Sequence, residues 1–529
     1  MLLAPSLVTE QWRRWDAGSG QRSSSYWQGI AEADPTFRRV VLTVELVFGD
    51  GTTLTLARTP ITTTSGRSDT VYQWEQGLIE EPEIAVGVRL GSQAASARTV
   101  ALSLAADLVD ISQVILNGGL LAGVGEICLQ VDGGDYDQRL VLLRGEITGG
   151  VAFGTQLERL QLSLSDARLT TSLLIPQVVL DTTRWATAQD DAVGLRYPLV
   201  FNGYPYVPAI RIDPGASFPS YLLCEGGRDL DIAALYQNGA AAPAATETES
   251  ADALGTPVLL AVFTAGTWAE NDAVYADLQL ASGQTSLSVV QCLERLLRSY
   301  TSLGISGLNP DLFGFADAAM PGYAPKVLIN ASGDQTVNVL DFVESTLLAS
   351  FPMIHMVYEG RGLGPVVLDQ RAEAVAMLTG GIDLIERTSL YTEVPRSELK
   401  TSYALRYNYN AQDNTWGSAI SRDADSDGAC QKIRTLLGGD QPFDPIDTPF
   451  VFSAPLAGYI LDWLVDHYSR VAYEVEWTVL PATLLRLRVG ANVTYTDANF
   501  ACFTSSKATV IGLTWALHGK SSVVLRIWR

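Results

Sequence analysis

Histidine is scarce in this chain, with three in 529 residues. His355 alternates with apolar neighbours in a predicted strand. His467 follows Asp466 on a predicted helix, and His518 sits beside Gly519 at a predicted hairpin turn. Each is expected to be structural. There is no GxSxG elbow, no HExxH and no phosphate-binding GxxxxGK[ST] loop. Ser306 lies between glycines in "LGISGL", but with GxSG spacing and outside an elbow context. Cysteine is also sparse. Cys128, Cys224, Cys292, Cys430 and Cys502 are odd in number and far apart, so neither a zinc knuckle nor a CxxC redox pair can be drawn. Isolated thiols in a reducing compartment are expected.

Basic charge is in deficit. Lys and Arg number 36 against 58 Asp and Glu, a net charge of −22. Such a surface repels phosphate backbones and anionic lipid, which argues against binding either. Long hydrophobic runs are absent too. The most apolar stretch, "LVDISQVILNGGLLAGVG", is broken by Asp110, Gln113, Asn117 and two adjacent glycines. It falls short of the ~20 apolar residues that cross a bilayer. The start, "MLLAPSLVTEQWRRW", lacks the basic and apolar regions of a secretory signal. The expectation is a soluble protein synthesised in a cytoplasm. Internal sequence repeats are not seen.

What is present is β-pattern. "RRVVLTVELVFGDGTTLTLARTPI" alternates apolar and polar residues around Asp50-Gly51, a hairpin signal. "EICLQVDGGDYDQRLVLLRGEITGG" does so around Gly133-Gly134, and "LERLQLSLSDARL" reads as a further strand. Residues 38–180 therefore form a β-rich domain, barrel or sandwich, with "DLVDISQVILNGG" as its one short helix. Before it, residues 1–37 read as an arm carrying Trp12, Trp15, Tyr26 and Trp27. After it, residues 181–285 combine a connector containing Pro198, Pro205, Pro208, Pro214 and Pro219 with a small inserted β-region. The low-complexity run 238–257 within it reads as an exposed loop.

Helical spacing first appears in "TSLSVVQCLERLLRSYTSLG" and "GDQTVNVLDFVESTLLASF", followed by a strand pair, "MIHMVYEGRGLGPVVLD". This makes 286–395 an α/β block. Residues 396–529 begin with the strand "KTSYALRYNYN" and carry a short helix after an acidic loop and a longer one over 454–470. They end in three strands. The fold class is thus α+β, β-rich and multidomain: two β-barrel or sandwich domains flank a connector, a small inserted β-region and an α/β block.

Two carboxylate clusters could supply paired acids: Glu80, Glu81 and Glu83, and Asp132, Asp135 and Asp137. Both lie at expected turns or strand ends, where solvated carboxylates are ordinary. A third motif, "SRDADSDGACQKI", sets Asp423, Asp425 and Asp427 at alternate positions ahead of Gly428. It opens like a calcium loop, so these three are the candidate metal ligands, for Ca2+. Position 12 of such a loop supplies a bidentate Glu, but here it is Arg434, which opposes a cation. The competing reading is a capped helix start at Gly428.

Several stretches resemble the baseplate-hub and tail-tip hub proteins of tailed bacteriophages, most of all those of long non-contractile tails. "LVLLRGEITGG" ahead of "LERLQLSLSDARL" resembles the first hub domain, where a strand ending in Arg144-Gly145 leads to an SLSD strand. "GLRYPLVFNGYPYVPAIRI" is similar to a connector of non-contractile tail proteins. "ELKTSYALRYNYNAQDNTW", the acidic loop, and "LRLRVGANVTYTD" with "VIGLTWALHGKSSVVLRIW" resemble the closing hub domain. There Gly490-x-x-Val493 precedes a final hairpin. The likeness spans most of residues 38–529. The insert at 225–285 departs from the simplest members.

The resemblance implies a structural virion protein, not an enzyme and without a cofactor. It implies a homotrimeric hub in which 38–180 and 396–529 are tube-like, so that three chains match a six-fold tail tube above and a three-fold fibre or spike below. Implied partners are further copies of the chain, the distal tail or tail-tube protein, the tape-measure protein and central fibre or other tail-tip proteins. Genomic DNA would be met only in transit, through a channel held closed until ejection. Two other readings stand beside it. One is a receptor- or carbohydrate-binding tail protein, using some of the eleven tryptophans as stacking platforms. The other is a cell-wall hydrolase working through carboxylates.

Overall fold

Alternating apolar residues over 40–166 build nine strands of a ten-stranded sheet, whose tenth is Ser19–Gly20 beside Arg139 and Leu140. In a computed structural model of the chain, the described residues are 19–20, 25–33, 36–37, 39–48, 51–88, 90, 93–95, 97–105, 123–153, 159–166, 174–188, 190–213, 217–226, 229–269, 271–301, 307–320, 322–330, 337–517 and 520–529. Trp12, Trp15, Ser306, His518 and the helix expected over "DLVDISQVILNGG" lie outside them.

The order across this first sheet is Ile61–Thr64, Val71–Gln76, Thr53–Ala57, Val40–Val47, Val124–Val131, Arg139–Phe153, Arg159–Asp166, Thr99–Ala105 and Leu78–Glu80. The Asp50-Gly51 signal marks a hairpin, with Val47 opposite Thr53. Tyr26 and Trp27, expected in an arm, lie on a helix, Ser25–Ala33. Trp27 is fully buried in the sheet's core and donates its indole N–H to the Gln138 carbonyl at 2.7 Å.

The last strands form a second, eight-stranded sheet. Ala376–Thr379, Asn492–Thr496, Ser506–Trp515, Ser522–Trp528, Ala472–Val479 and Leu384–Arg387 run across it in that order. Two of these strands come from before residue 396. Conversely, Tyr403–Asn410 and the helix Ala454–Tyr468 pack in the core of the α/β block. Across the boundary expected at 395/396, the closing sheet takes strands from 84–87, 376–393 and 472–528, while residues 403–465 contribute to the helical core. Apolar faces sort by what they can bury against, not by chain order.

Between the sheets, Val289–Tyr300 places Val289, Val290, Leu293, Leu296 and Leu297 on one buried face. Ser288 and Gln291 close its start as a reciprocal capping box. The second expected helix is broken into an α turn at Val339–Phe342, a π turn at Val343–Leu347 and a 3-10 turn at Leu348–Ser350. Pro310–Ala319, with Pro at its first turn and Asn309 as cap, is a helix the periodicity did not reveal.

Residues 204–280 fold into two four-stranded sheets. Much of the expected connector supplies their strands, among them Tyr204–Pro208 and Ser220–Glu225. The expected exposed loop at 238–257 contains an edge strand, Ala245–Ala251, paired along its whole length with Pro257–Phe263. Its side chains stay largely exposed, which explains why composition alone suggested a loop. None of the described helices is long and apolar enough to cross a membrane.

Candidate functional site

The Arg-Gly and SLSD sequences meet across one ladder, where Gly145 opposes Asp166. A Cβ on Gly145 would lie 1.7 Å from the Ser165 carbonyl oxygen, so only glycine allows this approach. Asp166 is buried and accepts from Arg98 Nε at 2.8 Å and Nη2 at 2.7 Å. Arg144 turns the other way, its Nη2 donating to Glu126 at 2.7 Å, while Arg139 Nε donates to the other Glu126 oxygen at 2.9 Å. Arg139 also lies 4.2 Å over the Tyr136 ring, and the Tyr136 hydroxyl donates to Glu45 at 2.9 Å. Burial alone would raise the Glu126 pKa, but the two guanidiniums override it and hold the carboxyl below its usual range. Sequence reasoning missed this network, because single charges inside alternating strands look like solvent-facing positions.

The Asp132, Asp135 and Asp137 cluster binds backbone and hydroxyl groups. Asp132 accepts from the Thr62 amide at 3.2 Å, Asp135 from Gly66 at 3.1 Å, and Asp137 from the Ser65 hydroxyl at 2.7 Å. Three carboxylates thus stitch one turn to a neighbouring loop. Glu80 ends the strand Leu78–Glu80, and Glu81 and Glu83 lie between it and the strand Ile84–Gly87.

The acidic loop is reached through Thr415–Arg422, a strand that the sequence pattern did not separate from the loop. Asp423 Oδ1 accepts from the amides of Asp425 at 3.1 Å and Ser426 at 2.9 Å. Hydrogen bonds from the Ser426 side chain and then its amide lower the Asp423 pKa. Asp425 pairs with Arg434 at 3.1 Å. Asp427 caps the helix Gly428–Leu437, accepting from Ala429 at 2.8 Å and Cys430 at 3.2 Å. All three carboxylates are engaged by the chain itself, and Arg434 holds one of them. Among the described residues, no group of three or more His, Cys, Asp or Glu is arranged to hold a metal ion.

His355 and His467 are both buried. His467 stacks on Trp463 at 4.6 Å and takes a hydrogen bond at Nδ1 from the Gln370 amide at 2.9 Å. Burial, with Arg526 nearby, holds its pKa well below the ordinary value, so it stays neutral. Cys128, Cys224, Cys292 and Cys430 are buried thiols outside any disulfide, and Cys502 is exposed.

The feature that organises the whole chain is a strand exchange. Ile84–Gly87, which follows the first sheet's strand Leu78–Glu80, pairs with Gly512–Trp515 of the closing sheet. Asn492–Thr496 covers the other half of the same edge, from Ser506 to Thr509. Val44, Leu102 and Leu162 of the first sheet share one continuous apolar core with Val475, Val510 and Leu525 of the closing sheet. The two sheets are thereby fixed as a pair.

No known family pattern matches the chain, and no curated relative matches it. Solved structures do match. The chain is similar to bacterial and prophage tail proteins. A tail protein from Neisseria meningitidis MC58 shares 9% identity at a TM-score of 0.38, over 92% of this chain and 96% of that one. The 43 kDa tail protein of prophage MuSo2 from Shewanella oneidensis shares 8% at 0.36, over 92% and 98%. The prophage tail protein gp18 from Listeria monocytogenes EGD-e shares 9% at 0.37, over 88% and 94%.

Proposed function

We propose that the chain is a structural protein of a phage or prophage tail tip or baseplate, forming its hub as a homotrimer in the virion. The carrying observation is the pairing of Ile84–Gly87 with Gly512–Trp515, which locks two β-sheet domains side by side in one chain. Three such chains would present six similar β-units to a six-fold tube and a three-fold face to a central fibre or spike. Tail-tube, tape-measure and other tail-tip proteins are the partners of this reading. The net charge of −22 suits a channel wall along which DNA slides without sticking. The described histidines, the buried thiols and the carboxylate clusters at 132–137 and 423–427 are engaged in packing, capping, hydrogen bonds or ion pairs, which supports a role without catalysis. Light scattering on the purified chain, with negative-stain averages of its particles, tests the reading. A three-fold ring is expected. A stable monomer that joins no ring when mixed with its tail neighbours overturns it.

A further inference from the structure

Where the first sheet, the α/β block and the closing sheet meet, they leave a cavity of about 240 Å3. Leu140 and Val141 of the first sheet form one wall, Leu312 and Phe315 of the helix Pro310–Ala319 a second, and Leu487 a third. Arg361 and Arg488 also line this space, with the exposed Arg486 beside them, opposed by Asp311 and Glu359. In a chain with a net charge of −22, a cavity lined by three cations and two anions is unusual.

Arg488 is the informative residue. Its guanidinium lies 3.9 Å over the Phe315 ring. Among the described residues its side chain makes neither a hydrogen bond nor an ion pair, whereas Arg486 is exposed to solvent. A half-buried cation without a hydrogen-bonded anion is costly to keep, and guanidinium is the side chain best shaped to grip a carboxylate with two parallel bonds. Burial depresses the Arg488 pKa, and the charge of Glu359 offsets that only in part. At the mouth, Phe315 and Val375 are 42% and 55% exposed. A second cavity of about 80 Å3 adjoins the first, sharing Leu312, Phe315, Val375 and Arg488.

We propose that this cavity binds a carboxylate carried on an apolar body, with the carboxylate on Arg488 and Arg486 and the body against Leu140, Leu312 and Leu487. The volume lies below the ~300–1,000 Å3 of sites for drug-sized ligands, so it suits one amino-acid-sized group. Asp311 and Glu359 disfavour a dianion such as phosphate. Two sources share this chemistry: a free aliphatic or aryl carboxylic acid, and the C-terminal residue of a polypeptide. In the second case the adjoining cavity takes the preceding side chain. The inference rests on the cavity alone and is independent of the hub reading.

The test is calorimetric titration of the full chain, at low salt, with 4-phenylbutyrate, with its amide, and with a peptide ending in Phe-Leu as free acid or as amide. Either acid should bind and its amide should not. Arg488→Met should weaken binding about tenfold or more, the scale of losing a hydrogen bond to a charged group. Its own melting temperature should be unchanged or raised, since an unpaired desolvated cation is removed. Should R488M fail to fold, R486M is expected to weaken binding in the same direction. Binding by the phenylbutyrate assigns a small acid as sufficient, and binding by the peptide alone assigns a polypeptide end; both uphold the site. Absence of binding by both acids, equal binding of acid and amide, or undiminished binding by the folded arginine variants overturns it.

Discussion

At the scale of single residues, this chain places its charge where it holds loops and strands together. Asp427 satisfies two amides at the start of Gly428–Leu437. Replacing it by Ala should cost about 1 kcal/mol, while Asn should cost little, since both Asp and Asn cap well; urea unfolding measures the difference. Glu126 is a larger case, because it pairs with two buried guanidiniums. Glu126→Gln removes the charge from both pairs and should destabilise by roughly 3–5 kcal/mol. Acid acts on the same groups. The folded-state pKa of His467 is depressed, so the unfolded chain takes up its proton first as pH falls below 6.5. Glu126 is also depressed, so its contribution is present above its ordinary 4.5 and is lost as pH falls further towards its folded value. Melting temperature should therefore begin to drop below about pH 6.5 and drop faster below about 4.5. His467→Gln should remove the first phase and leave the second.

At the scale of elements, the insert is the clearest unit. Asn202 donates to the Leu287 and Pro325 carbonyls and accepts from the Leu287 amide, each at 2.7 Å. The chain thus leaves for the insert and returns from it at a single clasp. Gly203, at a φ of 76°, follows at the only geometry the turn allows, since a Cβ there would meet the Leu278 carbonyl at 2.3 Å. Deleting 204–286 behind a short glycine linker should leave a folded remainder, seen as a cooperative melt with near-native helix content. Aggregation of the deletion product would contradict this. Element identity was largely legible where one face is apolar: Val289–Tyr300, Ala454–Tyr468 and the hairpins at 47–53 and 354–367 followed from periodicity and turn residues. Thr415–Arg422 escaped notice because its exposed and half-buried residues alternate without a strong apolar face. Pro481–Leu485 escaped because "LLRLRV" alternates like a strand, whereas Pro481 starts a helical turn there. The Glu126 network and the arginine-lined cavity were illegible for another reason: their partners come from separate strands, and no local spacing encodes that meeting.

For the whole molecule, the paired end sheets act as one body. Val86→Pro would remove an amide from the strand Ile84–Gly87, whose partner residue is Leu513. Unfolding should then separate into two transitions, for first and closing sheets, where the unaltered chain shows one; calorimetry distinguishes them. If the hub reading holds, the same variant should also lose the ring form in light scattering. Charge has a whole-molecule effect as well. A chain this acidic repels its own copies at low ionic strength, so any assembly of it should strengthen with added salt.

Synthesis runs from one end of a chain to the other, and this chain's first sheet has to wait. Ile84 emerges long before its partner Trp515. Until then the edge that Ile84–Gly87 will fill does not exist, and part of the shared core lies open. A ribosome that stops short of Gly512–Trp515 would release a protein with a bare strand and an uncovered apolar face, a substrate for chaperones and proteases. The exchange therefore ties the closing of the early strands to late synthesis: only a chain translated through Trp515 can close.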